Sequence, residues 1–216
     1  MNSLPLVLYL ISSGAYAVHF ARQSKPLGRI ATVVLVLGVL AHTFVIGMQT
    51  MQVGHFPFVG TTGAVSAFVC LLALAYLYTE MMTDERAMGV FIVPLMALLQ
   101  VIPAATNSVA QRPPVLDSPW FSVHVLALLF AYASFALACV VGVTYVLLFK
   151  ELKAKHLGFF YARLPSLKVL DLMNSRAVAV GWVFLTLGLV VGAVWLLQVQ
   201  PNTLDPRVQA MSLLDP

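Results

Sequence analysis

Three histidines lie among apolar residues, where an imidazole is suited to holding a metal or a ligand. His124 falls in an uncharged run from Trp120 to Phe149, and at 1.5 Å per residue it lies roughly 8 Å from the start of the predicted helix. Ionisable side chains at membrane depth are costly and usually functional. We therefore expect His124 to contact a ligand or substrate. The alternative is an interfacial histidine that only hydrogen-bonds a neighbouring helix.

The other two histidines flank the end of an earlier apolar run. His42 is predicted to lie roughly 12 Å inside that helix, where a neutral imidazole could ligate a metal. A structural hydrogen bond to a neighbouring Thr or Tyr remains an equal alternative for His42. His55 follows in the loop MQVGHFPFVG, whose aromatic residues are typical of a segment lying against the membrane interface.

His124 and His55 are predicted to share one face of the membrane. Two neutral imidazoles with apolar and aromatic neighbours could bind a heme iron, which takes nitrogen ligands above and below the ring plane. Trp120, one turn before His124, is a further candidate contact of the cofactor. Because the two histidines lie on different segments, only the fold can bring them together.

The composition is that of an integral membrane protein. The chain has 216 residues, of which 61% are hydrophobic and only 9% are charged, and its mean hydropathy is +0.94. Apolar runs of this length predict an all-α, polytopic bundle of about six transmembrane helices, forming one domain over residues 1–216. The predicted spans are residues 4–21, 30–50, 61–79, 88–105, 120–149 and 177–199.

The distribution of basic residues predicts the orientation. Three, one and six Lys or Arg residues follow the first, third and fifth spans, and only Arg112 and Arg207 fall on the other side. By the positive-inside rule the basic loops are cytoplasmic, so the N-terminus lies outside the inner membrane. The basic residues form no single surface patch, so we expect the lipid bilayer, and no nucleic acid, as a partner.

Several kinds of site are missing from the sequence. It has no Walker loop, HExxH or GxSxG motif, and its two cysteines form neither a CxxC nor a CxxCH pair. The charged segment TEMMTDERAM is predicted to be a solvated turn, which leaves no membrane-embedded Asp or Glu for acid-coupled transport. We therefore expect a protein that is not an enzyme.

Three segments carry a family resemblance. The run WFSVHVLALLFAYASFALACVVGVTYVLL, which starts at Trp120, resembles the histidine-bearing helix of the cytochrome c assembly proteins, the CcsA/CcmC/HemX-type heme-handling membrane proteins. LDLMNSRAVAVGWVFLTLGLVVGAVW, from Leu170 to Trp195, resembles the segment leading into their tryptophan-rich heme motif. The AHTFVIG region and the GHFPF loop are similar to the family's early helix and outer loop.

The resemblance implies that His124 is an axial ligand of transiently bound heme b. The implied function is delivery or presentation of heme at the outer face for cytochrome c assembly, with a membrane partner subunit and apocytochrome c as partners. After Trp195, however, the chain reads LLQVQPNTLDPRVQAMSLLDP in place of the tryptophan-rich motif. This departure fits a fragment lacking the last two helices, or a subgroup linked to heme synthesis.

Two other functions remain open from the sequence. One is a membrane regulator of heme biosynthesis that acts through the basic cytoplasmic loop from Lys150 to Arg176. The other is a small-molecule transporter.

Overall fold

The computed structural model of the protein describes residues 3–58, 60–106, 116, 118–155, 158 and 161–203. The described chain contains six α-helices, and five of them are long and apolar enough to cross a membrane. The predicted all-α bundle of about six helices is thus confirmed, while the single domain over residues 1–216 stays a prediction. The helices are α1 (Ser3–Arg22), α2 (Lys25–Val53), α3 (Gly60–Thr83), α4 (Gly89–Ala105), α5 (Pro119–Lys153) and α6 (Leu167–Thr203).

Two helices begin earlier than the apolar runs suggest. α2 starts at Lys25, with a proline in its first turn, where a missing backbone N–H costs nothing. α6 starts at Leu167, ten residues before the predicted span, because Leu170 and Met173 continue its buried stripe at helical spacing. The predicted loop from Lys150 to Arg176 is therefore mostly helix at both ends. Arg112, Arg207 and residues 204–216 lie outside the described part of the chain.

The helices pack in two groups that α3 joins. α1 packs against α2 and α4, α5 pairs with α6, and α3 packs against α2, α4 and α5. Tyr9, Tyr16 and Tyr76 are fully buried in the core, whereas residues such as Leu40 and Val183 are exposed on the outside of the bundle. Apolar side chains on the outer surface are expected where a helix faces lipid.

Small residues form the contact between α5 and α6. Ala127, Ala131, Ser134 and Ala138 are buried along one stripe of α5, and small residues in such a stripe allow close helix packing. On α6, a Cβ atom added at Gly181 would lie 2.6 Å from the Phe135 ring, so a larger residue there would force the ring to move. The two helices therefore pack closely against each other.

The prediction that TEMMTDERAM is a solvated turn is wrong for Glu80. Its side chain is only 1% exposed, because it lies within α3 on the same face as Tyr76, one turn earlier. The carboxylate accepts hydrogen bonds from the hydroxyl groups of Tyr16, at 2.6 Å, and Thr32. Arg86 Nε lies 3.7 Å from it. The expectation that the bundle embeds no carboxylate is therefore also wrong.

Candidate functional site

His124 is positioned by the start of α5. The helix begins at Pro119, and Ser118 precedes it with an extended backbone (φ −136°, ψ 137°) and no side-chain capping bond. His124 therefore lies in the second turn, half-buried, on the side of α5 that faces α6.

A backbone hydrogen bond orients the His124 ring. Its Nδ1 lies 2.7 Å from the carbonyl oxygen of Gly188 on α6. A carbonyl oxygen only accepts, so Nδ1 must carry the proton and donate it. In the neutral ring, Nε2 is then left with a free lone pair, which is the form that binds a metal.

Glycines on α6 make this hydrogen bond possible. A Cβ atom added at Gly192 would lie 2.4 Å from His124 Nδ1, and one at Gly188 would lie 2.7 Å from Leu128 Cδ2. A larger residue at either position would force the His124 or Leu128 side chain to move. The glycine pair, one turn apart, therefore lets the backbone of α6 approach α5 until the Gly188 carbonyl reaches the imidazole.

Phe121 lies one turn before His124 on α5, and Trp195 lies one turn after Gly192 on α6. Phe121 and Trp195 have ring centroids 5.2 Å apart. Trp195 Nε1 is buried and has no hydrogen-bond partner among the described residues. A buried N–H without an acceptor is rare in folded proteins, and it suits a ligand that brings its own acceptor. We call His124, Phe121, Gly188, Gly192 and Trp195 the α5–α6 site.

The sequence did not predict Trp195 as a site residue. Gly188, Gly192 and Trp195 follow one another at spacings of four and three, which places all three on one face of α6. This spacing was the feature of the sequence that could have indicated a shared site on α6. Trp120, the tryptophan that was predicted to contact a cofactor, is 44% exposed, and its role stays a prediction.

His55 lies beyond the end of α2, after Gly54 in the left-handed conformation (φ 76°). Its Nδ1 is 3.1 Å from the carbonyl oxygen of the adjacent Phe56, whose ring stacks on that of Phe58. In the described part of the chain, no hydrogen bond or ring contact joins His55 to His124. The pairing of the two histidines on one iron therefore stays a prediction.

His42 is fully buried between three helices. Its Nδ1 lies 3.0 Å from the Tyr9 hydroxyl on α1, and its Nε2 lies 2.9 Å from the Ser66 hydroxyl on α3. Both ring nitrogens are thus engaged, and binding a metal would require breaking one of these bonds. The geometry favours the structural alternative, although ligation by His42 remains an untested prediction.

Replacing His42 with leucine should destabilise the bundle without reducing heme content. The substitution leaves the Tyr9 hydroxyl buried without its partner, which costs about 1–3 kcal/mol. Unfolding in detergent, followed by circular dichroism, would measure the loss, and the Soret absorbance per protein would measure heme. Tyr9→Phe, which removes only one hydroxyl, serves as the milder control. A Soret band that disappears in a folded His42→Leu protein would contradict the structural role.

The side chains of the α5–α6 site are suited to a ligand that already contains a metal ion. No group of three or more His, Cys, Asp or Glu side chains that could hold a metal ion occurs among the described residues. A free imidazole nitrogen beside two aromatic rings and an unpartnered N–H can instead bind a planar, apolar group that carries a metal and an acidic substituent.

Comparison with known proteins gives the chain's relatives. It is 23% identical to the cytochrome c biogenesis protein CcsA of Guillardia theta over 180 residues, covering 74% of this chain and 60% of that protein. The CcsA of Trieres chinensis is 21% identical, covering 88% of this chain and 71% of that protein. Protein HemX of Bacillus subtilis (strain 168) is 23% identical, covering 90% and 72%.

The chain thus spans about three fifths of the first of these CcsA proteins. No solved structure matches it. The family model described as cytochrome C assembly protein matches residues 3–201. This range covers all six helices except the last two residues of α6. The chain is a membrane protein that belongs to the cytochrome c assembly protein family.

Proposed function

We propose that this protein binds heme b transiently at the α5–α6 site and presents or delivers it for cytochrome c assembly. The observation that carries the proposal is the bond from His124 Nδ1 to the Gly188 carbonyl oxygen, which leaves Nε2 free to ligate iron. The names of the CcsA relatives support the process, cytochrome c biogenesis.

The surroundings of His124 fit the chemistry of a heme. Phe121 and Trp195 offer aromatic surface to an apolar macrocycle. The unpartnered Trp195 N–H can donate to a heme carboxylate, which would remove the cost of burying that donor. The redox chemistry belongs to the heme itself, and the protein contributes a ligand, an apolar surface and a hydrogen-bond donor.

Heme that must later leave the protein is suited to a site in which the helix pair supplies only one ligand to the iron. The α5–α6 pair supplies one imidazole, and we propose that His55 supplies the second from the loop after α2. Bound heme would then be held by His124 from the helix pair and by His55 from the loop after α2.

The orientation and partners belong to the same proposal. With six alternating helices, the Arg86 turn and the basic α5–α6 connection share one end of the bundle, which the positive-inside rule assigns to the cytoplasm. The α5–α6 site then faces outside the inner membrane, where it could pass heme to apocytochrome c together with a membrane partner subunit.

The test is heme content. Wild-type protein, His124→Ala and His55→Ala would be purified in detergent from heme-replete cells and compared by Soret absorbance per protein. We expect His124→Ala to lose most of the band, and His55→Ala to shift or weaken it. If the wild type takes up no heme even when ferrous heme is added, the proposal is wrong, and regulation through the basic connection becomes the better hypothesis.

A further inference from the structure

An apolar groove of about 430 Å³ lies on the lipid-facing side of the bundle, away from the α5–α6 site. α3, α5 and α6 form its walls, including Tyr78, Leu137 and Val180. Its volume falls in the range of about 300–1,000 Å³ that is usual for ligand sites. It lies nearer the Arg176 end of the bundle, because it is lined by the last residues of α3 and the early part of α6.

Three hydroxyl groups in the wall of the groove are already hydrogen-bonded within their own helices. The hydroxyls of Thr79 and Thr83 donate to carbonyl oxygens of their own helix, each at 2.8 Å, and Ser134 does the same at 2.9 Å. Groups satisfied in this way need no hydrogen bonds from a ligand. A hydrocarbon chain could therefore lie along this wall without leaving these groups unpaired.

One charged residue, Arg176, stands at the end of the groove. Its side chain is exposed and contributes to the lining. No ion pair joins Arg176 to a carboxylate among the described residues. An unpaired guanidinium beside an apolar wall favours a ligand with an anionic group at one end.

The length of the groove matches one leaflet of a membrane. Its α3 wall runs from Leu74 to Thr83, which is about 14 Å at 1.5 Å per residue. Half of a hydrocarbon core of about 30 Å is roughly 15 Å. The groove thus has the span of a single lipid tail, with the cation placed where the headgroup would lie.

We propose that this groove is a binding site for an anionic phospholipid of the leaflet on the Arg176 side. The acyl chain lies between α3, α5 and α6, and the phosphate pairs with Arg176. Basic pockets between transmembrane helices commonly recognise lipid headgroups in this way. The proposal goes beyond heme binding and does not depend on it.

The test uses full-length protein that has been purified in detergent and stripped of lipid. Phosphatidylglycerol or phosphatidylethanolamine is added at graded concentrations, and the bound fraction is measured by native mass spectrometry. We expect the wild type to prefer phosphatidylglycerol, and Arg176→Gln to bind it about fivefold more weakly, as expected for one basic residue at a membrane surface. Val180→Phe, which fills the groove, should weaken binding of both lipids.

Lys168→Gln is the matched control. Lys168 is also an exposed cation on α6, but it lines a different cavity, so its removal should leave the lipid preference unchanged. Phosphatidylglycerol binding that is equal in Arg176→Gln and wild type would overturn the proposal. An equal loss of phosphatidylglycerol binding in Lys168→Gln would also overturn it, because that result would indicate diffuse charge attraction. A third contrary result would be a bound species that has the mass of heme and that Val180→Phe removes.

Discussion

Gly192→Ala should reduce heme affinity by about 10- to 100-fold, the usual effect of disturbing the group that orients a metal-binding histidine. The new methyl group would lie 2.4 Å from His124 Nδ1, so the imidazole has to move away from the Gly188 carbonyl. The ring then loses the bond that fixes its tautomer. Titration of the purified protein with ferrous heme, followed at the Soret band, measures the change.

Gly47→Ala is the control, because a Cβ atom there meets nothing within 4 Å. Alanine in a helix is favoured over glycine by about 0.5–1 kcal/mol, so this variant should be slightly more stable and bind heme normally. A Gly192→Ala protein with unchanged heme affinity would show that the position of His124 against α6 is irrelevant to binding.

Glu80→Ala should lower the free energy of unfolding by about 1–3 kcal/mol, because it leaves the buried Tyr16 hydroxyl without its acceptor. The substitution leaves the Tyr16 hydroxyl and Arg86 Nε without the carboxylate. Tyr16 also packs against Gly89 at the start of α4. The substitution therefore affects contacts among α1, α2, α3 and α4. Denaturant titration in detergent, followed by circular dichroism, gives the value.

Two variants separate the causes of that loss. Glu80→Gln keeps the shape and an acceptor oxygen but removes the charge, so it should lie between wild type and Glu80→Ala. Asp171→Ala removes an exposed carboxylate on α6 and should change stability by less than about 0.5 kcal/mol. If Glu80→Ala were no more harmful than Asp171→Ala, the buried cluster would not hold the helices together.

The sequence predicted His124 but not the groups that orient it. The position of His124 within an uncharged run can be recognised from that one segment of sequence alone. The partner carbonyl at Gly188 lies 64 residues away, and only the crossing of α5 and α6 decides which carbonyl faces the ring. The unpartnered Trp195 N–H depends on burial by that same packing, so spacing on α6 could suggest it but not establish it.

Glu80 shows why charge patterns mislead near a helix end. Asp84, Glu85 and Arg86 follow it closely, and together they resemble a solvated turn. Helical spacing places Glu80 on the face of Tyr76, however, whereas the next residues turn outward. Helix number and order were predictable because apolar runs are long and distinct. The early start of α6 was not, because polar residues interrupt its first buried turn.

The short α4 has a consequence for the surrounding bilayer. Its 17 residues measure about 26 Å, whereas a hydrocarbon core is about 30 Å thick. The 35 residues of α5 measure about 52 Å. Leu98, Val101 and Ile102 are exposed on the outside of α4. A bilayer around the protein would have to accommodate a shorter apolar surface on this side, by local thinning, by snorkelling of flanking side chains or by association of copies.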